Sequence, residues 1–577
     1  VERADGNAFY LEELIRRAVE WGDDDLPETV VAMVQSRMEA IGPEARRVLR
    51  AASVFGERFW PGGLQRLLGH ADPGETERWL RQLVEQEIVD PPLEGRFQGH
   101  PEYGFRHGLL RDAAYATLTE TDRTAAHRLA GEWLVAAGER QARVLAAHFE
   151  RGGDAVRAMP WIVAAMDLAL TAYQLDEALD LARRGLSLGA RGVVRGLLST
   201  VVAEVLTWKG DTDSSRDAAL DGIRHCERGS PAWFLCASLV VVADANSGDA
   251  GQGSLEVLDG ILSLERPPEP TGRCAFAITM VQYGLLLAGR RDLIDRIVEP
   301  LRAAASQPLP HDEQFTGWLK IADGYAGIWC GDRLGHALRS VREGAERLLA
   351  SKPVAGVEGR GHLATTLVEC GAFAEAEAIA GEWIDSAKQR GLDWMIGLAA
   401  SPLSRALLHQ GRTGEAVAAA RSAVGDVVPA SAHLARCALA LALVAAGDLD
   451  AATLEATREI DSSPIPATRV ASWLVLSRVS GARGEWPEAL DRAIRGLDEA
   501  DRLAAYPSDR AALRVMCADA LTALGETAEA SAVITAARAT LEQTAASFDD
   551  PTERVRFIEA FPAHARILAW EGPSRVP

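Results

Sequence analysis

Histidine is the residue type in this sequence best suited to bind a metal, to contact a phosphate or to transfer a proton. The candidates in the N-terminal part are the widely spaced residues His100, His107, His127 and His148. A zinc site needs ligands at short, regular spacing with cysteine or carboxylate partners, and these histidines have neither. The His-Asp pair at 311–312 follows two prolines, which predicts a solvated turn and not a catalytic dyad. We therefore predict no metal site.

Nucleotide hydrolysis needs a glycine-rich loop with a lysine that surrounds the phosphates. The pattern G-x-x-x-x-G-K-[ST] does not occur in this sequence. No nucleophile with an adjacent base and no acid/base pair stands out either. We therefore predict that the chain has no catalytic residues and is not an enzyme.

The charge of the chain disfavours nucleic acid as a partner. It has 82 acidic and 61 basic residues, which gives a net charge of -21. Residues 27–118 include 11 arginines and 13 carboxylates, and the helix predicted at 75–88 has a net charge of -2. Such a surface repels a phosphate backbone.

The cysteines and the hydropathy pattern bear on the compartment. Seven cysteines are scattered singly, without a C-x-x-C pair, which is typical of reduced thiols in cytoplasmic proteins. No apolar run reaches the roughly 18 residues that span a bilayer, and the N-terminus lacks the pattern of a signal peptide. Because the chain starts with Val1, we expect it to be part of a longer gene product.

Composition favours helices over sheets, since aromatic residues make up only 6% of the chain. In the first 165 residues, the pattern predicts helices near 27–41, 44–54, 63–68 and 75–88. The glycine-rich stretch that follows, up to Tyr103, predicts a small β-wing, and a further helix begins near residue 105. Three helices with a wing form a winged-helix arrangement.

A repeat of about 40 residues is the strongest signal in the sequence. Glycines recur at the ends of predicted helices, at Gly210, Gly248, Gly289, Gly331, Gly371, Gly411, Gly447, Gly484 and Gly525. In the clearest copies an alanine follows five residues later, and these alanines are Ala376, Ala416, Ala489 and Ala530. The glycine can end one helix in a left-handed conformation, and the alanine lets the next helix pack closely. Each unit is therefore predicted to be a helical hairpin.

These hairpins resemble the tetratricopeptide (TPR) family, with a longer period. Stacked hairpins of this family form a right-handed superhelix with an extended concave surface. The resemblance implies a protein or peptide partner in that groove, or the upstream domain of the same chain. The repeat tryptophans are interpreted as filler between helices, and no groove residue is singled out.

Four motifs occur in order near the N-terminus: G-N-x-F-x-L-E-E-L at 6–14, L-P-x-T-V at 26–30, F-x-H-x-L-x-R-D-x-x-Y at 105–115 and R-x-x-x-H at 123–127. They resemble the segment that follows the ATPase core in bacterial signal-transduction ATPases of the STAND class, a group of AAA-related NTPases. The resemblance implies the end of a helical lid at 1–24, a winged helix at 25–118, connecting helices at 119–165 and about ten TPR-like hairpins at 166–577. The expected fold class is all-α, a winged-helix-like domain followed by an α-solenoid.

The resemblance also implies nucleotide contacts. In the family a Gly-x-Pro motif touches the base, and here that position reads Gly6, Asn7 and Ala8. His107 corresponds to a winged-helix histidine that reaches the β-phosphate of ADP. A buried structural histidine is the alternative interpretation of His107. No cofactor is expected within this chain, because ATP or ADP would bind an upstream domain.

The leading functional hypothesis is a sensor region that binds a protein or ligand in the superhelix and relays this event through the winged helix to an upstream ATPase or effector domain. The first alternative is a TPR scaffold for protein interactions that works without nucleotide. The second alternative is a transcription regulator whose winged helix binds DNA.

Overall fold

The computed structural model describes residues 37–570 except 70–71, 173, 247–251, 265–267, 288–289, 307–312, 332, 352, 392, 425–428, 464 and 503–504. The predicted lid at 1–24, the pair at 311–312, and Gly6 and Asn7 lie outside the described residues. The chain divides into two compact units, the first ending at Ala190 and the second beginning at Arg191. Apart from one small sheet, the described elements are helices, so the all-α fold class is confirmed. None of the described helices combines the length and apolarity needed to cross a bilayer.

The first unit begins with helices and short strands and continues with helices alone. Its elements are α1 (Pro43–Phe55), β1 (Arg58–Phe59), α2 (Pro61–Leu67), α3 (Pro73–Glu85), β2 (Val89–Leu93), β3 (Glu102–Phe105), α4 (Gly108–Ala116), α5 (Glu120–Ala137), α6 (Ala142–Arg151), α7 (Ala155–Thr171) and α8 (Leu175–Ser187). The sheet is antiparallel with the order β1-β3-β2. The stretch predicted as a wing thus forms β2 and β3.

Local signals explain where the first helices begin. Helices α1, α2 and α3 each have a proline in the first turn, where the missing N–H is not needed. The Asp72 side chain accepts a hydrogen bond from the backbone N–H of Gly74 and so caps α3. Leu49, Leu64 and Leu80 are fully buried, which fixes the three helices around one apolar core.

The second unit consists of paired helices in succession. They are α9 (Gly192–Lys209), α10 (Thr212–His225), α11 (Pro231–Asn246), α12 (Gln252–Leu262), α13 (Gly272–Leu287), α14 (Arg291–Ala305), α15 (Glu313–Cys330), α16 (Leu334–Ser351), α17 (Pro353–Glu369), α18 (Phe373–Arg390), α19 (Asp393–His409), α20 (Thr413–Ser422), α21 (Pro429–Ala446), α22 (Leu449–Ser462), α23 (Pro466–Ala482), α24 (Trp486–Arg502), α25 (Pro507–Ala523), α26 (Thr527–Ala546), α27 (Pro551–Ala560) and α28 (Pro562–Leu568).

The predicted glycine turns are present wherever the structure describes them. Seven of these glycines have φ between +74° and +89°, and they are Gly210, Gly331, Gly371, Gly411, Gly447, Gly484 and Gly525. Gly248 and Gly289 lie outside the described residues. The four alanines that follow five positions later are fully buried. The hairpins therefore form for the reason that the sequence suggested.

The second unit closes on itself, a feature that the repeat pattern did not predict. Helices α15–α19 contact helices α25–α28, and we call this contact the seam. The Thr544 hydroxyl donates to the Gly331 carbonyl at 2.8 Å, and the Gly335 N–H donates to the Ser547 hydroxyl at 2.9 Å. Glycines allow this approach, since a Cβ on Gly335 would lie 2.3 Å from the Ser547 carbonyl oxygen. Instead of an extended open groove, this part of the array is a closed coil.

Candidate ligand cavity in the second unit

A cavity of about 250 Å³ lies inside the coil of the second unit. Its lining extends from Glu204 on α9 to Tyr506, which directly precedes α25. The cavity is therefore built by helices that are far apart in sequence. Most of its surface is apolar, and its large side chains include Trp208, Phe276, Tyr283, Tyr325, Trp329 and Trp383.

The aromatic side chains form a connected wall. The rings of Tyr283 and Tyr325 meet edge to face with centroids 6.5 Å apart, and Tyr325 meets His362 in the same way at 5.1 Å. Trp329 stacks on Tyr506 with centroids 4.7 Å apart, which joins α15 to the segment before α25 across the seam. Such contacts stabilise a preformed surface for another aromatic ring.

The polar groups of the wall are neutral or paired. Burial lowers the pKa of His362 to about 4 and raises the pKa of Tyr283 to about 12, so both are neutral near pH 7. The Glu204 carboxylate forms an ion pair with Arg273. The hydroxyls of Tyr283 and Tyr506 make no hydrogen bond to any residue that the structure describes, and both side chains line the cavity.

A buried charge cluster lies beside the cavity and crosses the seam. Arg405 on α19 donates to both carboxylate oxygens of Asp509 on α25, at 2.9 and 3.1 Å, and to Glu369 on α17 at 3.3 Å. The Ser508 backbone N–H donates to Glu369 at 3.0 Å. The guanidinium also lies 4.7 Å from the Tyr506 ring centroid. We call Glu369, Arg405, Ser508 and Asp509 the clasp.

Burial and charge oppose each other within the clasp. Burial alone would lower the pKa of Arg405, but the carboxylates of Asp509 and Glu369 outweigh it and raise the pKa. Burial raises the pKa of Glu369, although Arg405 acts against this. Burial lowers the pKa of Arg478, and the nearby carboxylate of Asp509 acts against this. With two cations and two anions, the region is formally balanced, as a buried cluster requires.

The structure places His107 at the N-cap of α4, half-buried and with an extended backbone. This position is consistent with either interpretation of the residue, so its contact with a nucleotide stays a prediction. The contacts of Gly6 and Asn7 also stay predictions. Among the described residues, no group of histidine, cysteine or carboxylate side chains could hold a metal ion.

Two of the N-terminal motifs meet in a buried network. The Tyr115 hydroxyl lies 2.8 Å from Nε2 of His127, and Nδ1 of His127 lies 3.1 Å from Nδ1 of His148. The Arg123 guanidinium stacks on the Tyr115 ring at 4.9 Å. Burial is the main reason why the pKa of His127 falls to about 3 and that of His148 to about 4. These residues fasten α4 to α5 and α6, so they have a structural role.

A thiol pair lies near the start of the second unit. The Thr200 hydroxyl is 3.1 Å from the Cys236 sulfur and 3.7 Å from the Cys226 sulfur. A hydrogen bond from the Cys236 thiol lowers the pKa of Cys226 to about 7. Of the six cysteines whose side chains the structure describes, Cys226 alone is not buried, and none forms a disulfide.

Sequence reasoning missed the cavity, and it interpreted the tryptophans as filler. Trp318 does fill space between helices, but Trp208, Trp329 and Trp383 line the cavity. A signal was present, since Phe276 and Tyr283 on α13 are followed 42 residues later by Trp318 and Tyr325 on α15. Aromatic residues that recur with the period of the repeat lie on the same helix face in successive hairpins.

Comparisons with known proteins give distant structural likenesses only. No protein-family model and no curated protein matches the chain. One similar structure is a STAND protein with a tetratricopeptide repeat sensor from Pyrococcus horikoshii, with 13% identity, coverage of 87% of this chain and 68% of that chain, and a TM-score of 0.36. A second similar structure is the APC/C hetero-tetramer Cut9–Hcn1, with 12% identity, coverage of 79% of this chain and 95% of that chain, and a TM-score of 0.41.

A Rap protein in complex with competence and sporulation factor has 10% identity, coverage of 65% of this chain and 97% of that chain, and a TM-score of 0.38. Likeness at this level carries no argument about function. The assignment of the fold rests on the glycine turns and the paired helices described above. The second unit is a TPR-like helical solenoid.

Proposed function

We propose that the second unit is the sensor region of a signal-transduction protein and that it binds its partner molecule inside the coil. The observation that carries this proposal is the cavity, because helices from non-neighbouring repeats line it. The clasp lies beside it and joins α17 and α19 to α25. A molecule in the cavity therefore contacts elements on both sides of the seam. If this molecule binds more tightly to the closed coil than to an opened one, the difference in its binding free energy stabilises the seam by the same amount.

The first unit is proposed to relay this change as a winged helix. The order α1-β1-α2-α3-β2-β3 and the sheet order β1-β3-β2 support this assignment. Helix α3, the candidate recognition helix, has two arginines against three glutamates, which favours contact with protein over contact with DNA. His107 remains the proposed contact to ADP, in a nucleotide-binding domain that precedes this region in the parent polypeptide. We propose a cytoplasmic location and no catalysis by the chain itself.

The experiment measures ADP dissociation from that parent polypeptide after the clasp is broken. Arg405→Met leaves Glu369 and Asp509 buried without their cation, and we expect the ADP dissociation rate to change at least fivefold. Arg412→Met is the matched control, because Arg412 also binds two carboxylates but is 39% exposed. We expect its rate to stay within twofold of wild type. Equal rates for all three proteins would instead support a scaffold that works without nucleotide.

The same two variants give a stability prediction. Removing one partner from a buried ion cluster costs about 3–5 kcal/mol, whereas an exposed pair contributes about 0–1 kcal/mol. Thermal unfolding followed by circular dichroism should therefore show a large loss for Arg405→Met and almost none for Arg412→Met. Similar losses in both variants would show that the clasp does not hold the seam.

A further inference from the structure

The volume of the cavity indicates the size of the ring system that its wall can surround. An engineered apolar cavity of about 150 Å³ binds one benzene molecule. The cavity of the second unit measures about 250 Å³, which leaves room for a second fused ring. Its wall of tryptophan and tyrosine rings offers stacked and edge-to-face contacts to such a molecule.

The charges around the cavity exclude an ionic occupant. Glu204 is already paired with Arg273, and His362 is neutral near pH 7 because burial lowers its pKa to about 4. A charged ligand would lose its hydration without gaining a counter-ion. The occupant should therefore be neutral.

Two hydroxyls indicate where the occupant carries a polar atom. Tyr283 on α13 and Tyr506 before α25 line the cavity, and neither hydroxyl bonds to a described residue. Tyr506 is only 7% exposed. A phenol that faces a cavity donates its hydrogen bond to water or to a ligand atom that takes the place of that water. A carbonyl oxygen or a ring nitrogen is the acceptor that suits these donors.

The apolar lining of the cavity favours a small molecule over a peptide. A bound peptide backbone needs many hydrogen-bonding partners, whereas most of the cavity surface is apolar. An occupant with few polar atoms matches this surface.

We propose that the cavity binds a neutral aromatic molecule of about two fused rings that carries a hydrogen-bond acceptor. The aromatic wall holds the rings, and the hydroxyls of Tyr283 and Tyr506 donate to the acceptor. This inference rests on the proposed sensor function and names the ligand class of the same site.

Quinoline and naphthalene are the probes that test it. They have the same shape, but only quinoline carries an acceptor nitrogen, and both are neutral at pH 7.5. Ligand-observed NMR titration of the whole chain should show that quinoline binds about two- to tenfold more tightly than naphthalene, the range expected for one hydrogen bond. The anion 2-naphthoate should bind at least tenfold more weakly than quinoline.

Variants identify the site. Tyr283→Phe removes the hydroxyl and keeps the ring, so quinoline affinity should fall two- to tenfold, toward that of naphthalene, while naphthalene binding stays unchanged. Retained naphthalene binding also shows that the variant is folded. Thr365→Phe fills the cavity from a half-buried position and should abolish binding of both probes. Tyr103→Phe in the first unit is the control and should change neither affinity.

Three outcomes overturn the inference. Neither probe binds, or both bind equally and Tyr283→Phe has no effect, or the tripeptide Ala-Trp-Ala binds more tightly than quinoline and Thr365→Phe abolishes its binding. The last outcome makes the cavity a receptor for a peptide side chain and leaves the proposed sensor function intact. Failure of the sensor function itself appears separately, as ADP dissociation rates that do not respond to Arg405→Met.

Discussion

At the scale of single residues, buried histidines make the first unit sensitive to acid. Burial holds the pKa of His127 near 3 and that of His148 near 4, below the value of about 6.5 in the unfolded chain. The unfolded state therefore binds more protons below pH 6.5. Stability from these residues is complete above pH 6.5 and falls toward pH 4, by on the order of 1.4 kcal/mol per pH unit for each histidine.

Hydrogen exchange of α5 and α6 between pH 7 and pH 4.5, corrected for the intrinsic rates, measures this loss of stability. In His148→Gln, protection should decline less steeply with acid, because one titrating group is gone. An identical pH dependence in the variant and the wild type would show that His148 does not titrate in this way.

The thiol of Cys226 should be the most reactive of the described cysteines. Cys226 is partly exposed, and its pKa is lowered to about 7, so a larger fraction of it is thiolate at pH 7.5 than of an ordinary cysteine. The other five cysteines whose side chains the structure describes are buried. Peptide mass spectrometry after a short exposure to iodoacetamide should find Cys226 labelled at least tenfold faster than these five. Replacement of Cys236 by alanine removes the hydrogen-bond donor and should slow the labelling.

At the scale of elements, two glycines separate packing at the seam from helix propensity. Gly335 and Gly414 are each the second residue of a helix, α16 and α20 respectively. A Cβ on Gly335 would lie 2.3 Å from the Ser547 carbonyl oxygen, whereas a Cβ on Gly414 meets nothing within 4 Å. Gly335→Ala should destabilise the protein by about 1–3 kcal/mol. Gly414→Ala should stabilise it by up to about 1 kcal/mol. Thermal unfolding distinguishes them, and equal shifts would contradict a tight seam.

The hairpins could be predicted from sequence because their signals are local. Gly371 ends α17, and Ala376, five residues later, packs on the preceding helix. The residues that define the turn therefore lie within one short stretch of sequence. The seam joins residues more than 200 positions apart, such as Gly331 and Thr544. This contact depends on the small rotation between successive hairpins, which accumulates along the array. The sequence of a single repeat does not reveal this rotation.

The cavity was missed for the same reason. Trp329 and Tyr506 become neighbours only after the coil closes, so their spacing in the sequence carries no information about the contact. The clasp could not be predicted from a short stretch of sequence either, since Arg405 and Asp509 lie 104 positions apart in the chain. In contrast, Tyr115 and His127 lie on successive helices, and their motifs are close enough to suggest a contact.

At the scale of the whole second unit, closure changes how stability is distributed. In an open repeat array each hairpin contacts only its neighbours, so the loss of terminal helices affects the adjacent repeat and little else. Here the terminal segment that contains α27 and α28 contacts helices far earlier in the chain. Phe561 meets Phe373 edge to face at 5.5 Å, and Arg339 pairs with Asp549 at 2.9 Å. The terminal helices therefore stabilise the middle of the array directly.

A chain that ends at Phe548 tests this coupling. It loses α27 and α28, and we expect amides in α16 and at the start of α18 to exchange at least tenfold faster, which corresponds to about 1.4 kcal/mol of local stability. Among the described seam contacts, none joins the removed segment to α20 or α22. The exchange rates of amides in these two helices should therefore change less than twofold. Hydrogen exchange with mass spectrometry resolves these segments. If the increase were confined to α25 and α26, the array would behave as an open solenoid, and a ligand in its cavity would have no closed coil to stabilise.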